Sequence, residues 1–341
     1  LYRKGMSMFN KIYEKLKNFI KKFGFIFIYI LIFIVLTMNL PYYISAPGGL
    51  MDTKDKIENS DFKMSGSLNM AYVTEIHATI PTLIWAFFDP DWDVETEAET
   101  VTGSESVEDM EFRNKMMLEE AGNTALKLAY DKSDIEYKMK NIKVYLTYID
   151  DLANTNLEVG DQIIEADGHK ISTKEDLYNY ISTKKVGDKV NFKVIRDNEK
   201  QTKTATLIDV LGEPKVGALL SETFDLKSDH PVELEFKDSE SGPSGGLMLT
   251  LTLYSYLNEI DLTHGHTIVG TGTIDEDGNV GEISGVKYKL IGAVDKGADI
   301  FLVPDGDNYK EAKKVKEEKG YKIDLVPVKT FDEALEYLEN L

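Results

Sequence analysis

One uninterrupted apolar run stands near the start of the chain. Phe23 to Leu40 reads FGFIFIYILIFIVLTMNL, 18 residues without a charge, and Pro41, Tyr42, Tyr43 and Ile44 extend it. At about 1.5 Å per residue, a helix of that length nearly crosses a hydrocarbon core of about 30 Å. No polar face recurs at helical period, which argues against a core helix of a soluble protein. Beyond this run the pattern breaks into shorter pieces. Residues 45–88 read as strands and short turns, with Ala71-Tyr72-Val73 and Ile80 to Phe88 as their apolar runs. Asp89 to Asp109 is polar and acidic and reads as a solvated loop. From Glu108 to Tyr130 the helical period returns, with Phe112, Met116, Met117, Ala121, Leu126 and Leu128 available for a core.

Residues 140–208 form a compact pattern of their own. Val144-Tyr145-Leu146 is strand-like, and Leu157 to Ile164 gives a turn and a strand. Asp167-Gly168 is a hairpin turn. A helix follows over Thr173 to Ser182, capped by Ser172 or Thr173, and then the strand Phe192 to Arg196. From residue 211 onward strand and helix alternate. Strands are expected at Val232 to Phe236, Thr267 to Ile274 and Ile300 to Val303. Helices are expected at Gly246 to Tyr256, Tyr288 to Lys296, Tyr309 to Lys319 and Phe331 to Leu338, an α/β pattern.

Charge sharpens the picture. Residues 1–22 carry seven Lys/Arg and one Glu, so of the net −20 the remaining chain holds −26. The basic arm before the apolar run places the N-terminus in the cytoplasm and the acidic body outside. A cleaved signal peptide would have a shorter apolar region, and Ser45-Ala46-Pro47 is a poor cleavage site. The expected start is Met6 or Met8. An acidic body disfavours nucleic-acid binding, which needs a basic footprint. With no cysteine, disulfides and thiolate zinc sites are excluded. His264-x-His266 has no third ligand in sight, so no metal and no cofactor are expected.

The candidate chemistry sits in Glu240-Ser241-Gly242-Pro243-Ser244-Gly245-Gly246 and in Lys289, 45 residues after Ser244. Ser244 precedes an apolar helix, whose N-terminus offers unpaired N–H groups to a developing oxyanion. Gly245 and Gly246 allow close approach by a substrate backbone. A lysine able to lose its proton can serve as the base for such a serine, without histidine. Thr271-Gly272-Thr273-Ile274 and the turn Gly278 to Ile283 lie between the two.

Two resemblances follow. The order L-x-x-G-D-x-I-x-x-x-D-G, a helix, G-D-x-V and an Arg-ended strand resembles a PDZ domain over about 70 residues. Such domains add an extended peptide to a sheet edge, but the carboxylate loop and the peptide-binding strand are not obvious here. GPSGG, GTGTID-x-x-G-x-VG-x-I, G-V-x-x-K and GAD-x-F-L-V-P resemble the proteolytic domain of Lon-type serine proteases. Residues 23 to 341 together resemble the membrane-anchored, PDZ-containing Lon-like proteases of bacteria. That resemblance implies Ser244 as nucleophile and Lys289 as base, kept neutral by burial. Gly245 supports the oxyanion and Thr271 hydrogen-bonds the lysine. Lys287 lies two positions earlier and faces another way.

The expected fold is therefore α/β, with a transmembrane helix and a PDZ-like β domain inserted in or preceding a Lon-type proteolytic domain. Expected bounds are 1–22 for a cytoplasmic basic arm, 23–44 for the anchor and 45–138 for the first part of an extracellular protease region. The PDZ-like domain is expected at 139–209 and the proteolytic domain at 210–341. The implied activity is ATP-independent, since no G-x-x-x-x-G-K-[ST] is present. Its implied partners are the membrane and a peptide or unfolded protein, with ring-like homo-oligomers as a family habit. The competing expectation is an inactive PDZ scaffold or chaperone at the membrane surface. A trypsin-like PDZ protease is disfavoured, because its serine precedes the PDZ domain and needs a histidine, and His77 is the only one ahead of the PDZ-like unit.

Overall fold

The computed structural model describes residues 2–58 and 61–341, in two compact units. The first unit takes residues 1–46 and 75–100, the second residues 47–74 and 101–341. The basic arm expected over 1–22 begins at Leu1, which lies outside the described residues.

In the first unit, Tyr2–Thr37 is one helix of 36 residues. Among the described residues it is the one helix long and apolar enough to cross a membrane. It stops at Thr37, short of the anchor expected to reach residue 44, because Pro41 cannot continue a helix. Tyr42 begins a strand instead, and Tyr42 to Ser45 pair antiparallel with Thr96 to Asp93. Ile80–Phe88, expected to be extended, is a helix. Thr79 and Thr82 form a reciprocal capping box, and Pro81 sits in the first turn, where its missing N–H costs nothing. Ile44, Ala78 and Ala86 form this unit's small core with Ile76, Leu83 and Trp92. Residues 75–100 group with the N-terminal helix in this unit. The acidic stretch expected to be loop includes the short strand Asp93–Thr96 and the helical turn Glu97–Thr100.

Two larger sheets and two short two-stranded ones make up the second unit's strands among the described residues. The first has the order Asp324–Val328, Ile300–Pro304, Thr267–Gly270, then the strand running from Ser67, then the strand ending at Asp52. Its pairings are parallel at Ile268 opposite Leu68, Val269 opposite Phe301 and Phe301 opposite Leu325. Against it lies Gly246–Asn258, a helix buried along most of its length. Leu247, Met248, Leu251 and Leu253 are fully buried, each contributing about 1.5–3 kcal/mol by leaving water. The hydroxyls of Thr250 and Thr252 are satisfied by the carbonyls of Gly246 and Met248, one turn back. Asp261 ties the lower edge together. It accepts from the Ser65 N–H at 2.6 Å and the Thr263 N–H at 2.9 Å, while Thr263 Oγ1 accepts from the Gly66 N–H.

The second sheet has the order Ala218–Ser228, Tyr137–Ile149, Gln162–Ala166, Lys189–Arg196, Glu199–Thr206, Asn154–Thr155. Helix Lys174–Ser182 covers it, capped by Thr173. Leu146, Ile163, Leu177, Ile181 and Phe192 form its core. Asp161 is fully buried and holds Arg196 through two bonds of 2.7 Å, which explains the Gly-Asp and Arg-ended strand in one pattern. Both Asp167 and Gly168 have positive φ, as a two-residue hairpin turn demands.

Two further expectations change. Val232 to Phe236 is no regular strand; Leu234 makes an isolated bridge to Ile57. The strand expected over Thr267 to Ile274 is split at Thr271 and Gly272, which leave the sheet to grip the Ser244 turn.

Candidate active site

Ser244 stands one residue before the N-cap of the buried helix Gly246–Asn258. Its carbonyl accepts from the Gly272 N–H at 2.8 Å and from Thr271 Oγ1 at 3.1 Å. In return the Leu247 N–H donates to the Gly272 carbonyl at 3.1 Å. The turn is therefore held by a strand end that had to break from its ladder to reach it. On the other side the Gly242 N–H donates to the Asn114 carbonyl, on helix Val107–Lys132.

Lys289 comes from helix Val286–Asp295. That helix starts at Gly285, whose φ of 72° is left-handed and whose missing side chain lets Val73 approach. Just ahead of it, Asn308 fixes Ile283 by accepting from its N–H at 2.7 Å and donating to its carbonyl at 2.9 Å. The result places Lys289 Nζ 2.7 Å from Ser244 Oγ and 3.2 Å from Thr271 Oγ1. Lys289 is 4% exposed and Thr271 is fully buried, whereas Ser244 is half-buried and reachable. Lys287 stacks its amine over the Tyr288 ring instead.

Of the four residues singled out in the sequence, Ser244, Lys289 and Thr271 converge through side-chain atoms. Gly245 adds its backbone. Among the described residues, neither the Ser244 nor the Gly245 N–H is donated to an acceptor, while the Gly246 N–H is taken up by the Pro243 carbonyl. Two adjacent N–H groups beside a serine hydroxyl are an arrangement suited to hold an oxyanion. Gly245 also packs against Met70: a Cβ there would stand 2.6 Å from its sulfur.

Sequence reasoning missed the side chains that hold this turn from behind. Lys56 makes a buried ion pair with Glu240, four residues before Ser244. Thr53 bonds to Thr252 of the serine-bearing helix and, at 2.8 Å, to the Leu68 carbonyl. Pairings across nearly two hundred residues leave no local pattern to read. The strand Ala218–Ser228 was missed too. It borders Tyr137–Ile149, with Leu220 opposite Leu146, and ends its sheet. A cleft of about 170 Å³ lies there, lined by Leu177, Ile181, Phe192, Ala218 and Leu220 among others.

Comparison with known proteins finds two family models along the chain. Residues 134–207 match the PDZ domain family model, and residues 236–339 match that of the Lon protease (S16) C-terminal proteolytic domain. The chain is 32% identical over 98 residues to the Lon protease of Rickettsia bellii, covering 29% of this chain and 12% of that protein. It is 25% identical over 213 residues to the Lon protease of Campylobacter jejuni, covering 61% of this chain and 25% of that protein. It thus spans between about an eighth and a quarter of the length of these relatives. Among solved structures, the PDZ domain of an SdrC-like protein from Listeria monocytogenes is 28% identical, with a TM-score of 0.23, over 24% of this chain and 92% of that one.

Proposed function

On a chain that carries a PDZ domain ahead of a Lon-type proteolytic domain, we propose a membrane-anchored serine endopeptidase with Ser244 as nucleophile and Lys289 as its general base. The observation that carries this reading is the 2.7 Å approach of Lys289 Nζ to Ser244 Oγ, made by a lysine only 4% exposed. Burial penalises an ammonium, and the neutral amine is the form that accepts a proton.

In the proposed reaction Lys289 takes the proton from Ser244 Oγ as that oxygen attacks a peptide carbonyl. The Ser244 and Gly245 N–H groups receive the oxyanion. The lysine then gives its proton to the departing amine, leaving an ester on Ser244. Water, deprotonated by neutral Lys289, attacks the ester, and the lysine returns that proton to Ser244 Oγ as the acid leaves. Thr271 orients Nζ throughout. The 341 residues contain no G-x-x-x-x-G-K-[ST] phosphate loop, so we assign no ATP-driven step and take flexible or unfolded peptides as substrates. An extended peptide is received at the outer edge of Ala218–Ser228, beside the apolar cleft. The N-terminal helix crosses the membrane with its basic arm in the cytoplasm, which leaves the catalytic body outside.

The test is cleavage of an unstructured peptide by the full chain in detergent, beside Ser244→Ala and Lys289→Ala. Both replacements should abolish turnover. Equal activity in all three proteins ends the reading.

A further inference from the structure

We propose that the helix Ile80–Phe88 is a second membrane contact, lying in the outer lipid–water interface beside the end of the N-terminal helix. This rests on the reading of that N-terminal helix as a membrane anchor.

The helix reads IPTLIWAFF, without a charged residue. Its inner side is accounted for: Ala86 and Leu83 join the small core of Ile44, Ala78, Ile76 and Trp92. Its outer side is not. Ile84, Trp85, Phe87 and Phe88 are 57%, 59%, 83% and 78% exposed. Four large apolar side chains within five residues make a patch that a water-facing surface rarely carries without a partner.

The backbone sets the level of this patch. The long apolar helix ends at Thr37. Three residues on, the Leu40 N–H donates to the Ala78 carbonyl at 2.8 Å, and the Ala78 N–H donates to the Tyr42 carbonyl at 2.8 Å. Thr79 then caps the short helix. The short helix therefore begins two residues from a point pinned to the exit of the long helix, and the two helices touch. Tryptophan at that level matches the aromatic belt of a bilayer interface. A short helix with one buried side and one greasy side is suited to lie in the interfacial plane.

Charge selects the kind of contact. The helix has no Lys or Arg, and Asp89, Asp91, Asp93 and Glu95 follow it directly. Attraction to anionic headgroups is thus not the driving force. The contact is apolar, and the acids return the chain to water immediately after it.

The chain has two tryptophans, Trp85 and Trp92, which allows a direct test. Full-length protein with Trp92→Phe is reconstituted into phosphatidylcholine vesicles whose acyl chains carry bromine. Trp85 emission should be quenched and shifted to the blue. A second protein, with Trp85→Phe, Trp92→Phe and Phe87→Trp, should behave alike and reads another position on the same exposed side. The reference is Phe33→Trp in the same tryptophan-free background, reporting on the long helix. If Phe33→Trp is quenched and both short-helix reporters stay bright, this inference falls and the anchor stands. If none of the three is quenched, the anchor reading falls and takes the inference with it. If the short-helix reporters are shielded from aqueous acrylamide yet untouched by bromine, a protein surface covers the patch, and the lipid contact is overturned.

Discussion

Lys56 and Glu240 meet where solvent barely reaches: Nζ lies 2.6 Å from one carboxylate oxygen and 2.8 Å from the other, with side chains 3% and 9% exposed. The pair joins an early segment of the chain to the loop that carries Ser244. Removing one partner strands a buried charge, which costs about 3–5 kcal/mol. Lys56→Met and Glu240→Leu should each lower the unfolding free energy read from urea titration by that order. The double replacement should recover most of the loss, since no charge is then left behind. Peptidase activity should fall in both single variants.

Thr271→Val keeps the shape of the side chain and deletes its hydroxyl. That hydroxyl joins Lys289 Nζ to the Ser244 carbonyl. Lys289 turns into an ammonium as it takes the Ser244 proton, and a hydrogen bond to that charge contributes about 1.5–3 kcal/mol, so kcat should drop about 10–100-fold. KM should change little, because the threonine does not touch substrate. Steady-state kinetics on an unstructured peptide separates the two.

Gly245→Ala should be unfavourable in this protein, although alanine carries no intrinsic penalty next to the serine. The new methyl would stand 2.6 Å from Met70 Sδ, near the end of a flexible side chain that must turn aside, so the cost should lie at the low end of about 1–3 kcal/mol. Activity should fall and should return when Met70→Ala is added. A double-mutant cycle on kcat/KM measures this coupling.

Stability should respond to acid through Asp261. Burial works against its ionisation, but hydrogen bonds from Ser65 and Thr263 outweigh it and bring the carboxyl to about 2, from an ordinary 3.8. A folded-state value below the unfolded one stabilises the protein above pH 3.8, and that contribution is lost as pH falls towards about 2. Unfolding midpoints of the native chain should drop across that window, and those of Asp261→Asn should drop less.

The fold class and the catalytic candidates were legible because their signals are local. GPSGG before an apolar run marks a serine at a helix start, and G-V-x-x-K puts Lys289 one helical turn past Gly285, as the structure has it. The Arg-ended strand and the Gly-Asp turn likewise read as one compact unit, and they meet as Asp161 and Arg196. Ile80–Phe88 misled because a continuous apolar run has no period to tell strand from helix. The deciding signals were Thr79 and Pro81 at its start. Nor was the outer strand of the PDZ sheet readable. Ala218–Ser228 lies some seventy residues beyond the strand it pairs with, and only tertiary contact defines that pairing.

A buried amine that activates Ser244 can be read by covalent capture, without any peptide substrate. The full chain is treated with a fluorophosphonate at several pH values, and the modified residue is located and timed by mass spectrometry. The label should appear on Ser244, faster as pH rises, and at least about 10²-fold more slowly in Lys289→Met, the usual contribution of a general base. Labelling of Ser244 at the same rate with Lys289 replaced, or no labelling of Ser244 in the native chain, would contradict the account.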